Sequence, residues 1–279
     1  MSDVTIASGS VDTPPHRGRP AGTISPIPFA RILWIELRKM FDTRSGLWLM
    51  ASILIVAALA TVGTLILVPE SDLTYESFLS AIGFPMNTIL PLVAILSVTS
   101  EWGQRTALTT FTLVPSRARV ISAKAGLCAI IGVSALAVAA VLGAVGNIGA
   151  AAFAGVGATW DVGWQGLVLF AMANVIGMGI GFMLAVLTRS SPAAVVAFFV
   201  YYLVVPIVST AVAGVQEWYA DHVHWIDFNT NVNRLFGAGF TGDDALSAQQ
   251  WFQLGLTGLV WLVVPLTVGL RLALRAEIK

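Results

Sequence analysis

The sequence is short of charge. Only 11% of its 279 residues are Asp, Glu, Lys or Arg, where a soluble domain carries about a quarter. That leaves too little ionised surface to coat a globule of this size. Neither sign is in excess, with fifteen Lys and Arg against fifteen Asp and Glu, so the basic field of a nucleic-acid-binding protein is missing. There is one cysteine, Cys128, which cannot form an intrachain bridge and reads as a packing residue in an apolar run. Apolar residues make up 57% of the chain and the mean hydropathy is +0.83, which excludes disorder, a collagenous repeat and a disulfide scaffold. This is the arithmetic of a membrane protein.

Catalytic motifs are missing too. There is no GxxxxGK followed by Ser or Thr, so the chain has no P-loop for ATP. No HExxH, paired-cysteine motif or Ser-His-Asp set appears, and the three histidines are His16, His222 and His224. The apolar runs contain no Asp, Glu or Arg. A membrane protease or metal-dependent membrane enzyme places such groups at membrane depth, and a proton-coupled carrier buries a carboxylate or histidine there. Sodium coupling through carbonyls and hydroxyls stays open. His222 and His224, with Asp221 and Asp227 nearby, read as interfacial residues, or as a metal pair without a full ligand set.

What is present is six apolar runs of membrane-crossing length, about 47–68, 78–98, 120–146, 164–187, 192–215 and 251–270, with Lys124 their one charged residue. They predict an all-α membrane protein with six transmembrane helices. Lys124, close to one end of the third run, reads as a cation that snorkels to the surface. Beyond Ala125 the chain stays uncharged as far as Ala158, and Gly143 to Gly157 reads as a helix extension, a close-packed bend or a re-entrant piece. The favoured reading ends the span near Gly146. Asn87, Thr88, Asn147 and Asn174 read as interhelical hydrogen-bonding groups or substrate contacts, and Gly177 and Gly181 form a GxxxG helix-packing site.

The cations set an orientation. With six spans and the N-terminus inside, fourteen of the fifteen Lys and Arg fall on the inner side, leaving only Arg234 outside. Nine carboxylates, Glu70 and Asp244 among them, fall outside. Both termini are therefore expected in the cytoplasm. Residues 1–27, with Pro14, Pro15, Pro20 and Pro26, read as a disordered tail and lack the apolar core of a signal peptide. Residues 28–46 read as an amphipathic interfacial helix, with Phe29, Ile32, Leu33, Leu37, Met40 and Phe41 on its apolar stripe. Arg31, Trp34, Arg38, Lys39 and Arg44 are its expected interface anchors; the plainer alternative is a generic charged anchor. Residues 216–250 form the one sizeable external segment, and Trp218, Tyr219 and Trp225 place its first part at the headgroup level.

The loop after the second run is longer than a connection between spans needs. In SEWGQRTALTTFTLVPSRARVISAKAG, residues 100–126, Gln104 to Leu113 can form a short helix that Pro115 stops. Glu101 and Arg105 are one helical turn apart and can pair. Glu101, Thr112, Leu113, Pro115, Ser116, Arg117 and Lys124 make this stretch resemble the signature of the type-2 ABC permease family. The six runs, the amphipathic helix and the external segment extend the resemblance over nearly all of the chain after residue 28.

The resemblance implies the permease subunit of an ATP-driven exporter, not itself an enzyme. Its partners would be a cytoplasmic P-loop ATPase, a second permease copy or paralogue, and membrane lipid, with no nucleic acid. This chain would hold no cofactor or metal; ATP and magnesium would sit on the ATPase. The loop at 99–119 would carry the coupling helix, with Glu101, Arg105, Leu108, Phe111, Pro115 and Arg117 at the ATPase contact. Competing readings are an accessory or immunity protein that does not transport, and a sodium-coupled carrier. Arg outnumbers Lys twelve to three, which suggests a GC-rich bacterial genome and hence a bacterial plasma membrane.

Overall fold

A computed structural model describes residues 28–42, 44–103, 117–240 and 246–275. Among them there is no strand, and six helices are long and apolar enough to cross a membrane. Helix α1 is Phe29–Asp42, α2 Arg44–Leu67, α3 Tyr75–Gly103, α4 Arg117–Ala154 and α5 Trp164–Thr188. The fifth span runs through α6 (Ser191–Phe199), a π turn at Val200–Val204 and α7 (Val205–Val215). Next come α8 (Glu217–Ile226) and α9 (Phe228–Ala238). The sixth span is α10 (Ala248–Gly258), a π turn at Leu259–Val263 and α11 (Val264–Arg275).

Helices α3 and α5 form the centre. Phe78, Leu79, Ile82, Met86, Leu90, Val93 and Val98 of α3 are almost completely buried, as are Phe170, Ala173 and Met178 of α5. Helix α3 touches α2, α4, α5 and α6, whereas the fifth and sixth spans leave most of their apolar residues exposed. Apolar association gains nothing from water inside a bilayer, so the central contact relies on close approach of small residues. A Cβ on Gly181 would sit 2.4 Å from the carbonyl oxygen of Pro91, so the two backbones touch there. Gly177, one turn earlier, lies against Pro91 and Asn87. The GxxxG pair thus serves a contact inside this chain.

Helix α4 runs on to Ala154 rather than stopping near Gly146, so the small-residue stretch is a helix extension as far as that residue. Glycine is needed here for proximity: a Cβ on Gly146 would lie 2.7 Å from the Phe78 ring and 2.8 Å from Thr61. The connection after α4 folds over the start of α3. Asn147 Nδ2 donates to the Thr159 carbonyl at 2.9 Å, and the Tyr75 amide donates to the same carbonyl at 3.1 Å. Asp161 Oδ1 accepts from the Glu76 amide at 2.9 Å, capping α3 from a remote loop.

Replacing Gly181 by Ala should force α3 and α5 apart, at a cost of ~1–3 kcal/mol. Gly149→Ala, where a new Cβ meets nothing within 4 Å, should be neutral or slightly stabilising. Thermal unfolding of the two variants in the same detergent checks the difference.

Candidate functional site

Two places gather polar groups inside this apolar bundle. The first lies where α1 packs on α4, beside the end of α3. Lys124, seven residues into α4, does not snorkel outward: it is 7% exposed and its Nζ meets Glu36 Oε2 at 2.5 Å. The same Nζ donates to the Ser97 carbonyl of α3 at 3.1 Å. Glu36 is 4% exposed and takes a second cation, Lys39 Nζ, on Oε1 at 2.7 Å. Ser97 Oγ donates to the Ala94 carbonyl and lies 3.7 Å from Cys128 Sγ. Burial pushes the Glu36 carboxyl up, but Lys124 and Lys39 outweigh it and hold the group below its ordinary range.

Nearby, Ser191 Oγ donates to Thr99 Oγ1 at 2.7 Å, joining the start of the fifth span to the last turns of α3. These ties brace both flanks of residues 104–116, since Ser97 and Thr99 precede that stretch and Lys124 follows it. Arg105, Leu108, Phe111 and Pro115 lie outside the described residues. Glu101 sits in the last turn of α3, Arg117 opens α4 and Arg44 opens α2, but their side chains lie outside the described set. Of the other expected interface anchors, Arg31 and Trp34 are exposed on α1, and Arg38 pairs with Asp42 at 3.1 Å. Lys39 turns to Glu36.

The second place overturns an expectation. The segment after Val215 does not lie flat at a headgroup level: α8 and α9 form a hairpin that turns back into the bundle. On the descending arm, Tyr219 OH lies 2.9 Å from Ser209 Oγ in α7. On the returning arm, Phe236 and Phe240 pack on Phe170, and Gly239 touches Gly166 near the start of α5. The tip, Ile226 to Phe228, meets the middle of the sixth span. Trp261 Nε1 donates to the Ile226 carbonyl at 2.8 Å, and the Phe228 ring is 3.2 Å from a Cβ built on Gly258. Trp261 lies thirteen residues beyond Ala248, about 20 Å of helix rise.

Asp227 is therefore a buried carboxylate, 6% exposed, beside the middle of the sixth apolar helix. It belongs to none of the six apolar runs. It caps α9: Oδ1 accepts from the Asn229 amide at 2.9 Å and Oδ2 from Thr230 Oγ1 at 2.8 Å. Asn229, Asn231, Gln253 and Thr257 are buried around it. Arg234, one cation on the returning arm, donates to Gln253 Oε1 at 3.2 Å. The histidines do different things. His222 stacks on Trp218 at 4.9 Å, and His224 gives its carbonyl to Asn231 Nδ2 at 2.7 Å. Among the described residues no group of three His, Cys, Asp or Glu could hold a metal. The pattern NTNVN after Phe228 was the available signal, since a dense run of amide and hydroxyl side chains in a Trp-flanked segment needs polar partners.

No protein-family model matches this chain, and no curated protein matches it in sequence.

Replacing Lys124 by Met should leave Glu36 buried with one cation fewer, costing about 3–5 kcal/mol. The double variant Glu36→Leu/Lys124→Met should recover most of that. Because the Glu36 carboxyl is held low in the fold, its contribution is present above its ordinary value of 4.5 and lost as pH falls below it. Thermal unfolding at pH 7 and pH 4 should show an acid-induced loss in the native chain that shrinks in the double variant.

Proposed function

We propose that this chain is the membrane-spanning permease subunit of an ATP-driven ABC exporter. Its cytoplasmic loop at 99–119 docks on a separate P-loop ATPase, with Glu101 and Arg105 anchoring a coupling helix and Phe111 packing on the ATPase. Arg117 holds the loop to the membrane surface. The termini are cytoplasmic, α1 lies in the interface with Arg31 and Arg38 toward the headgroups, and the address is a bacterial plasma membrane. A second copy or a paralogue completes the path.

The observation that carries the reading is the brace under that loop. Lys124 is the last residue of the run that resembles the family signature, and it is spent on Glu36 of α1 and the Ser97 carbonyl of α3. Thr99 ties the same end of α3 to Ser191. A push on residues 104–116 would pass to α1, α3, α4 and the fifth span together, which is what a motor outside the membrane requires. The chain brings no P-loop of its own.

One observation favours a second reading, an ion-driven carrier: Asp227 is a buried carboxylate beside the middle of the sixth apolar helix, and such carriers work through buried carboxylates. The two readings separate cleanly. A chain purified in mild detergent should bring down a P-loop ATPase in near-equal amount, and Glu101→Ala should lower ATP turnover of the assembled complex several-fold. Flux driven by an ion gradient without ATP, with no ATPase recovered, would replace the exporter reading with the carrier.

A further inference from the structure

Helix α1 uses one side to hold itself to the bundle. Ile32 and Glu36 are buried, Leu33 lies 3.6 Å from a Cβ built on Gly126 of α4, and Leu37 packs on the core. The bond from Lys124 to Glu36 fixes that side against α4. Ile32, Leu33 and Leu37, the middle of the apolar stripe, are thus spent on protein. What a bilayer or a partner can meet is the other side.

That side is neither a water face nor a hydrocarbon face. At 3.6 residues per turn, Arg31, Arg38 and Asp42 fall within about 20° of one line along α1, with Trp34 on one flank and Ile35 on the other. All five are exposed, Trp34 by 64% and Ile35 by 45%. A face turned wholly to water gains nothing from an indole beside an isoleucine. One turned into hydrocarbon would not carry two arginines. The headgroup layer accepts both, because Trp settles there and Arg lays its stem on apolar surface while its guanidinium stays in the polar zone. The charge on this face is also unbalanced. Arg38 Nε is 3.1 Å from Asp42 Oδ2, an exposed pair that solvent weakens. Arg31 meets no carboxylate among the described residues, and Glu36, the other carboxylate of α1, is buried against Lys124 and Lys39.

We propose that the outward face of α1 is a binding surface for the headgroup of an anionic phospholipid. Arg31 and Arg38 take the phosphate, Trp34 and Ile35 sit in the apolar layer beside it, and Asp42 competes with the lipid for Arg38. Charge complementarity selects this occupant, since a net positive face repels a choline headgroup and attracts a phosphate that carries no cation of its own. The proposal rests on the placement of α1 in the interface and not on the ATPase.

The test immobilises the full chain in neutral detergent and titrates it with radiolabelled phosphatidylglycerol or with phosphatidylcholine of the same acyl chains. Phosphatidylglycerol should bind more tightly, and high salt should narrow the gap. Arg31→Gln/Arg38→Gln, checked by an unchanged melting temperature, should weaken phosphatidylglycerol roughly twentyfold, from about fivefold per cation, and leave phosphatidylcholine alone. Asp42→Asn frees Arg38 and removes the repelling carboxylate, so it should tighten phosphatidylglycerol severalfold, which a merely structural role of these residues would not do. Arg271→Gln, at an exposed cation of α11, should change nothing. Equal binding of the two lipids, native affinity in the double arginine variant, or the same loss in Arg271→Gln would overturn the proposal. So would a double variant that keeps its lipid preference but no longer brings down an ATPase, which would assign the face to a protein. A spin label on Ile35→Cys, in a Cys128→Ser background, separates the causes of failure. A label at headgroup depth without lipid preference leaves the interface placement standing; a label in bulk water removes both.

Discussion

The fold depends on the contact between α3 and α5 at Pro91 and Gly181. No side chain intervenes there, since even a methyl on Gly181 would run into the Pro91 carbonyl oxygen. Proline is the counterpart that makes sense. It takes no part as a donor in α3, and a membrane helix tolerates it where neighbours re-satisfy the freed groups. Everything else is arranged on this pair. Helices α2 and α4 pack on α3, the hairpin arm α9 packs on α5, and Gly269 of α11 abuts the backbone of Leu187 at the far end of α5.

Around that pair, polar groups obey a single constraint, that water is not there to answer them. Most hydroxyls turn to their own helix. Thr61, Thr64, Thr99 and Thr188 each donate to the carbonyl four residues back, at 2.8–2.9 Å. Groups that cannot do this must find partners on other elements, and they become the joints of the structure. Glu36 and Lys124 join α1 to α4, Ser191 joins α6 to α3, and Asn231 joins α9 to the sixth span. A buried ion pair contributes little net stability compared with an apolar substitute, so its effect here is to specify where α1 lies.

The apolar helices were legible in the sequence because a run of about twenty uncharged residues has few other uses. The extent of α4 was less so. Glycine and alanine permit a bend, and only the Phe78 ring lying against Gly146 explains why the helix continues. Lys124 was misread for a related reason: a lysine near a span end usually reaches outward, and its partner, Glu36, is 88 residues away on a helix whose stripe looked wholly apolar. The hairpin was illegible in kind. Sequence measures hydropathy along the chain, and EWYADHVHWIDFNTNVN is polar enough to look external. Its polarity is met by Thr257, Gln253 and its own backbone, which no local pattern reveals.

The two polar joints sit at opposite reaches of the same pair of helices. Ser97 and Thr99 hold the end of α3 beside Lys124 and Ser191, while Phe170 and Gly166 near the start of α5 hold the hairpin through Phe236 and Gly239. Between them the α3–α5 contact has no slack, because a backbone resting on a backbone cannot yield the way a rotamer can. A displacement of α3 at Ser97 therefore has to carry α5 with it, and α5 carries the returning arm of the hairpin. The tip feels the same movement from its other side through Trp261, whose indole grips the Ile226 carbonyl from within a π turn. Both π turns fall in the last two spans, whereas α3 and α5 run without one. The backbone-on-backbone contact thus lies at the centre of the bundle and the helical irregularities at its edge.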